Sequence, residues 1–165
     1  LLKWTKSQIG KLNVVYQDVD LVEVTDGVID IFSMVASLKK IRIHEMKPEK
    51  MMVNADIDML KTVVRNLLSN AIKFSKENSE VLVKMEEVDG MAVVSVHGCG
   101  ISEEGQKKWL HTDTHFSTFG TNNEEGSGLG LLLCKDFVVK NGGKLWFTSK
   151  EGEGSIFSFS IPVKK

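Results

Sequence analysis

Cysteine, net charge and long apolar runs are all scarce in this chain. Its 165 residues include two cysteines, Cys99 and Cys134, far apart and outside any metal-ligand spacing. They read as free thiols in a reducing compartment, which argues against a disulfide-stapled scaffold. The formal net charge is −1, so no broad electrostatic attraction toward nucleic acid or an anionic membrane is expected. No apolar run approaches the roughly 20 residues that span a bilayer, and no secretory signal opens the sequence. Internal repeats and low-complexity tracts are absent as well. These absences leave one domain with a core of ordinary size.

What is present alternates between strand and helix periods. Val14 and Tyr16 around Val15, then Asp18 to Leu21, show short alternation. Leu21, Val24, Val28, Ile31, Val35 and Leu38 recur at helical spacing and predict a helix with that face buried. Ile41 and Ile43 alternate with Arg42 and His44 as in a half-buried strand, and Met51 to Val53 reads as a second short one. Asp56 or Asp58 is placed to cap the next helix. Val81 to Met85 and Met91 to Val96 form a strand pair through Val88-Asp89-Gly90. Lys144 to Thr148 and Ser155 to Ile161 form another, turned through Glu151 to Gly154. Three helices with mostly antiparallel strands predict an α/β two-layer sandwich, the helices on one face of a mixed sheet.

The stretch Asn66-Leu67-Leu68-Ser69-Asn70-Ala71-Ile72-Lys73-Phe74 carries the first chemical signal. Leu60, Val63, Val64, Leu67, Ala71 and Phe74 share one apolar face of a helix. Asn66, Asn70 and Lys73 fall within roughly 60° of one another along its edge. Asn carbonyls are hard oxygen donors suited to Mg²⁺, which proteins commonly hold with one or two such groups plus substrate phosphates. The competing reading is a surface helix whose amides meet water.

A second element favours the ligand. Gly126-Ser127-Gly128-Leu129-Gly130 runs directly into the helical pattern of Leu129, Leu132, Leu133, Phe137 and Val138. Glycine allows close backbone approach, and the free N–H groups of a helix start favour anions. Upstream, residues 111–127 are rich in Thr, Asn, Ser and Gly and read as a phosphate lid. Within it His111 and His115 flank Asp113, but the surrounding composition argues for lid rather than metal site. His44-Glu45 is followed by Pro48 on a strand pattern, so His44 reads as a solvent-facing strand residue.

These motifs resemble those of the catalytic and ATP-binding domain of bacterial sensor histidine kinases, within the superfamily of gyrase, Hsp90, histidine kinases and MutL. Residues 65–75, RNLLSNAIKFS, resemble its N box, HGCGIS its G1 glycines Gly98 and Gly100, and GSGLGL its G2 box. Gly152 and Gly154 followed by Ser155 resemble the G3 glycines, and the lid is similar to that of hybrid kinases of Bacteroides-like bacteria. The resemblance implies the α/β sandwich of that superfamily over residues 11–165. It implies that residues 1–10 end a dimerisation and phosphoacceptor helix. It further implies ATP and Mg²⁺ as cofactors: Asn70 on Mg²⁺, Asn66 at the catalytic position and with Lys73 on the phosphates, and Phe74 near the nucleotide. Gly98, Gly100, Gly126, Gly128, Leu129, Gly130 and Ser155 would line the nucleotide. The implied partners are the hairpin of the parent chain, itself a homodimer, and the receiver domain of a response regulator. The implied setting is cytoplasmic, with the parent anchored in a bacterial inner membrane.

One position departs from the pattern. The family's adenine-reading aspartate, two residues before the first G1 glycine, is here Val96. Valine accepts no hydrogen bond, and losing a charged acceptor costs about 1.5–3 kcal/mol, a factor of ten to a hundred in affinity. His97 follows, but its side chain is expected on the opposite face of the strand. Three functions therefore compete. One is a kinase domain that passes the ATP γ-phosphoryl group to a histidine outside this chain. Another is a degenerate binding or regulatory module. The last is an ATPase, which would need a water-activating Glu where Asn66 stands. The kinase reading fits most residues.

Overall fold

The computed structural model describes residues 13–98, 129–150 and 154–164, the side chains at 129–131, 149 and 150 excepted. The lid, Gly100, Gly126, Gly128 and the turn residues 151–153 lie outside those described. In chain order the elements are β1 (Gln17–Asp20), α1 (Leu21–Leu38), β2 (Arg42–Met46), β3 (Met52–Ala55) and α2 (Ile57–Phe74). They continue with β4 (Glu80–Val88), β5 (Met91–Gly98), α3 (Leu129–Lys140), β6 (Lys144–Lys150) and β7 (Gly154–Pro162). Five strands form one mixed sheet in the order β2-β4-β5-β7-β6, while β1 and β3 pair separately. Among the described strands β2 and β4 run parallel and the other pairs are antiparallel.

The period-2 pattern sorts the sheet into two faces. Val83, Val96, Phe157 and Phe147 share one cross-strand row, and Met85, Val94, Phe159 and Leu145 share the next. These rows meet the helices, and Val94, Val96, Phe157 and Phe159 are buried. Lys84, Ser95, Ser158 and Trp146 line up on the other face, where Ser158 Oγ donates to Ser95 Oγ at 3.1 Å. The β4–β5 turn follows the Asp-Gly expectation, with Asp89 at φ +51 and Gly90 at φ +78.

Helix α2 is the central element. Met59, Leu60, Val63, Val64, Leu67, Leu68, Ala71 and Ile72 are buried along it, a wider stripe than the sequence pattern implied, while Phe74 is half-buried. Asp56 is its N-cap, accepting from Asp58 N at 3.0 Å and Met59 N at 3.1 Å. Asp58 is therefore not the cap. At the far end, Lys39 Nζ donates to Ile72 O at 2.9 Å and Lys73 O at 3.0 Å, so a cation satisfies the terminal carbonyls.

Helix α1 corrects one expectation. Ile31, Val35 and Leu38 were placed on its core face, yet they are exposed. Leu21, Val22, Val24, Thr25, Val28, Ile29 and Ala36 are buried instead, with Phe32 packed partly against them. The face against the core follows residues 25, 29, 32 and 36, so Ile31, Val35 and Leu38 turn away over the second half of the helix. Two boundaries also move. The alternation that opens at Val14 becomes a strand only from Gln17, and the second short strand runs Met52–Ala55 rather than Met51–Val53, because its partner in the ladder is β1.

Candidate functional site

The N-box helix and the G1 strand meet at Gly98. This residue ends β5 directly over the last turn of α2, where an added Cβ would lie 3.1 Å from Ser75 Oγ and 3.4 Å from Ala71 O. A side chain at that position would press on the helix end, which gives the first G1 glycine a packing reason. Ser75 Oγ donates to Ala71 O at 2.6 Å and is buried, fixing the surface on which Gly98 rests. Across the sheet Gly98 pairs with Ser155, itself buried, although 57 positions separate them (155 − 98). The fold thus brings the G1 glycine, the serine after the G3 glycines and the end of the N-box helix to one place.

Along α2 the polar edge emerges as half-buried side chains. Asn66, Asn70 and Lys73 are all half-buried, on successive turns. Asn66 Nδ2 donates to Thr62 O at 2.8 Å, which turns its Oδ1 away from the helix backbone. Lys73 Nζ lies 6.0 Å from the ring centroid of Phe74, at the outer limit of cation–π attraction. Amide oxygens and one ammonium presented together suit a polyanion accompanied by a cation.

Val96 and His97 part to opposite faces, as strand alternation requires. Val96 is buried in the row between Val83 and Phe157. His97 stands between Leu82 and Ile156 on the other face. Burial, and then the ammonium of Lys84, hold its imidazole below the usual pKa. His97 is therefore not placed to stand in for an acceptor at position 96. His44 sits on edge strand β2 with Nε2 3.0 Å from Glu80 Oε1, exposed as expected. Among the described residues no group of His, Cys, Asp and Glu side chains is arranged to hold a metal. Cys134 is fully buried in α3, and burial alone pushes its thiol pKa far up, leaving it an inert core residue.

Residues 55–165 match the Histidine kinase-, DNA gyrase B-, and HSP90-like ATPase family. The chain belongs to that family. Among curated relatives of this ATPase family, the adaptive-response sensory kinase SasA of Crocosphaera subtropica is 30% identical over 99% of this chain and 43% of its own length. The sensor protein EvgS of Escherichia coli K12 is 30% identical over 99% of this chain and 14% of its own. The chain thus spans less than half of the curated relatives it matches. Among solved structures the catalytic domain of histidine kinase ThkA superposes with a TM-score of 0.72 at 30% identity, covering 90% of this chain and 95% of that one. The α/β sandwich expected from the sequence is therefore the fold of this ATPase family.

Sequence reasoning did not find the clip that joins the two helices flanking the site. Asn141 is buried at the end of α3, where its Oδ1 accepts from Asp56 N at 2.9 Å and its Nδ2 donates to Phe137 O at 2.7 Å. Gly142 N donates to Val139 O and Gly143 N to Val138 O, a Schellman ending that explains Gly142 at φ +88. Asn-Gly-Gly after an apolar helical pattern was the available signal for that ending. The partner of Asn141, 85 positions away, was not visible.

Proposed function

We propose that this chain is the ATP-binding domain of a two-component sensor histidine kinase, delivering the γ-phosphoryl group to a histidine outside these residues. The observation that carries the reading is Gly98 seated on the end of the helix that presents Asn66, Asn70 and Lys73. In this reading Gly98 belongs to the floor of the nucleotide pocket, beside the side chains that would hold the phosphates.

In this reading Lys73 and Asn66 hold the phosphates, Asn66 stands at the catalytic position, and Phe74 packs near the nucleotide. Gly98, Gly100, Val96 and Ser155 line the base end, and Gly126, Gly128, Leu129 and Gly130 close on the triphosphate. Asn70 is half-buried and forms no side-chain hydrogen bond among the described residues, so its amide oxygen fits a hydrated Mg²⁺. Bound Mg²⁺ supplies charge neutralisation at the triphosphate; the chain's part is to orient the phosphates and exclude water. Asn66 stands where a hydrolase of the superfamily would carry its water-activating Glu, and an amide cannot act as a general base, which favours transfer over hydrolysis.

The partners follow from the same reading: the dimerisation and phosphoacceptor hairpin of the parent homodimer, and a response regulator receiver domain. A related kinase supports the second, since ThkA has been solved in complex with response regulator protein TrrA and matches at 27% identity and a TM-score of 0.75 over 92% of this chain. No helix among the described residues is long and apolar enough to cross a membrane. We place the domain in the cytoplasm and its parent in the inner membrane. Titration calorimetry with a non-hydrolysable ATP analogue tests the proposal. Binding that strengthens with Mg²⁺, and loses that dependence in Asn70→Ala, is the expected result. Mg²⁺-dependent binding unchanged in Asn70→Ala would overturn the metal assignment, and no binding at all would overturn the reading.

A further inference from the structure

Helix α1 presents an apolar stripe that no described residue covers. Ile31, Met34, Val35 and Leu38 are 63%, 72%, 50% and 81% exposed. Their spacing of three and four residues is that of a helix seam, and Gly27 extends it by one turn with open space where a side chain would be. Four large apolar side chains in one stripe make a contiguous patch, unlike the isolated exposed residues normal on any surface.

The charges around the stripe are polarised along the helix. Glu23, Asp26 and Asp30 lie in its first half, Asp26 paired with Lys47, whereas Lys39, Lys40 and Arg42 follow its end, Arg42 paired with Glu80, so Asp30 and Lys40 are the charges that bear on a second copy. Such a helix is complementary to a copy of itself turned end for end. With a two-fold axis between Met34 and Val35, Ile31 of one copy meets Leu38 of the other, and Met34 meets Val35. The same register sets Asp30 beside Lys39 and Lys40 of the second copy. Lys39 keeps its ammonium on the carbonyls of Ile72 and Lys73, so among the described residues Lys40 is the cation left for that pairing. A parallel arrangement would instead align the acidic halves, with like charges opposed.

We infer that α1 is a self-association surface, forming an antiparallel, isologous helix pair between two copies of this chain. The inference does not rest on the proposed function. The stripe was legible in the sequence as a helical apolar period, and it survives as an exposed face because the core takes the neighbouring one.

Sedimentation velocity of the 165-residue chain across micromolar to submillimolar concentration tests the inference. Expected is a concentration-dependent dimer whose dissociation constant rises about tenfold or more in Ile31→Glu and in Leu38→Glu, as for residues at an interface centre. Circular dichroism melting at concentrations where the chain is monomeric should be unchanged in both, since the sites are exposed in one copy. Asp30→Lys and Lys40→Glu should each weaken the dimer, and the double variant should recover it. In a Cys99→Ser background, Val35→Cys lies near the axis and should form a disulfide between copies. Gly27→Cys should not, because in this register its counterparts lie about 22 Å apart at 1.5 Å per residue. A monomer at every concentration overturns the inference. So does a dimer indifferent to Ile31→Glu, which would lie elsewhere, and so does cross-linking at both cysteine positions, which would mean parallel helices.

Discussion

Asp56 and Asn141 join the start of α2 to the end of α3: the Asp56 backbone N–H donates to Asn141 Oδ1 at 2.9 Å, and both residues are buried. The Asp56 carboxylate meanwhile caps α2 and, through Oδ2, accepts from Val15 N at 2.9 Å. One pair therefore fixes two helices and the entering chain. Asn141→Ala leaves the Asp56 N–H buried without its acceptor and should cost about 1–3 kcal/mol in urea unfolding. Unchanged stability would mean that water replaces the amide at no cost.

Gly143 is packed directly against the backbone of β7. A Cβ there would lie 1.6 Å from Ser160 O and 2.7 Å from Ser160 C, both backbone atoms that cannot rotate aside. Gly143→Ala must separate β6 from β7 or bend the end of α3. A loss of about 3 kcal/mol or more is expected in chemical denaturation. Gly27→Ala, where nothing lies near and the helix gains propensity, should be neutral or stabilising by up to about 1 kcal/mol. The two substitutions form a matched pair for one experiment.

Lys39 supplies charge to the last carbonyls of α2, one turn from the Gly98 contact. Lys39→Met keeps the stem and removes the ammonium, a loss of about 1.5–3 kcal/mol if both bonds go unreplaced. Amide exchange should report fraying confined to residues near Ile72 to Ser75. Uniform acceleration across α2 would argue instead for global destabilisation.

Val96 is the departure with the largest expected effect on binding. Its burial between Val83 and Phe157 puts position 96 on the helix-facing side of the sheet. Val96→Asp should raise ATP affinity about tenfold by restoring a charged acceptor for the exocyclic amine. GTP, which lacks that donor at the same edge, should not gain. The comparison belongs in direct titration of folded protein, because an aspartate in an empty apolar pocket is destabilising. Equal gains for ATP and GTP would place position 96 outside the base-reading edge.

His97 gives a pH signature. Burial and Lys84 lower its pKa, so the folded state binds this proton less readily than the unfolded chain. The contribution is present in full above the unfolded value of about 6.5 and is lost as pH falls through the folded pKa. His97→Gln should flatten the stability profile on the acid side of that value and leave neutral pH unaffected. An unaltered slope in the variant would assign the titration to other groups.

The sequence determined the elements and the grouping of the motif residues along them. Periodicity located α1, α2 and α3 and the two hairpins, since 3.6- and 2-residue patterns follow from local geometry. Asn66, Asn70, Lys73 and the glycines were legible because helical phase alone groups the polar edge, and alternation alone sends Val96 and His97 to opposite faces. Tertiary structure decided what no local rule contains. It chose which side of α1 to bury, turning Ile31, Val35 and Leu38 outward, because α1 has more apolar surface than one packed face can cover. It also brought together residues 57 to 85 positions apart, Gly98 with Ser155 and Asp56 with Asn141. Such contacts depend on strand order and helix crossing, which are properties of the whole packed chain and leave no mark at either residue alone.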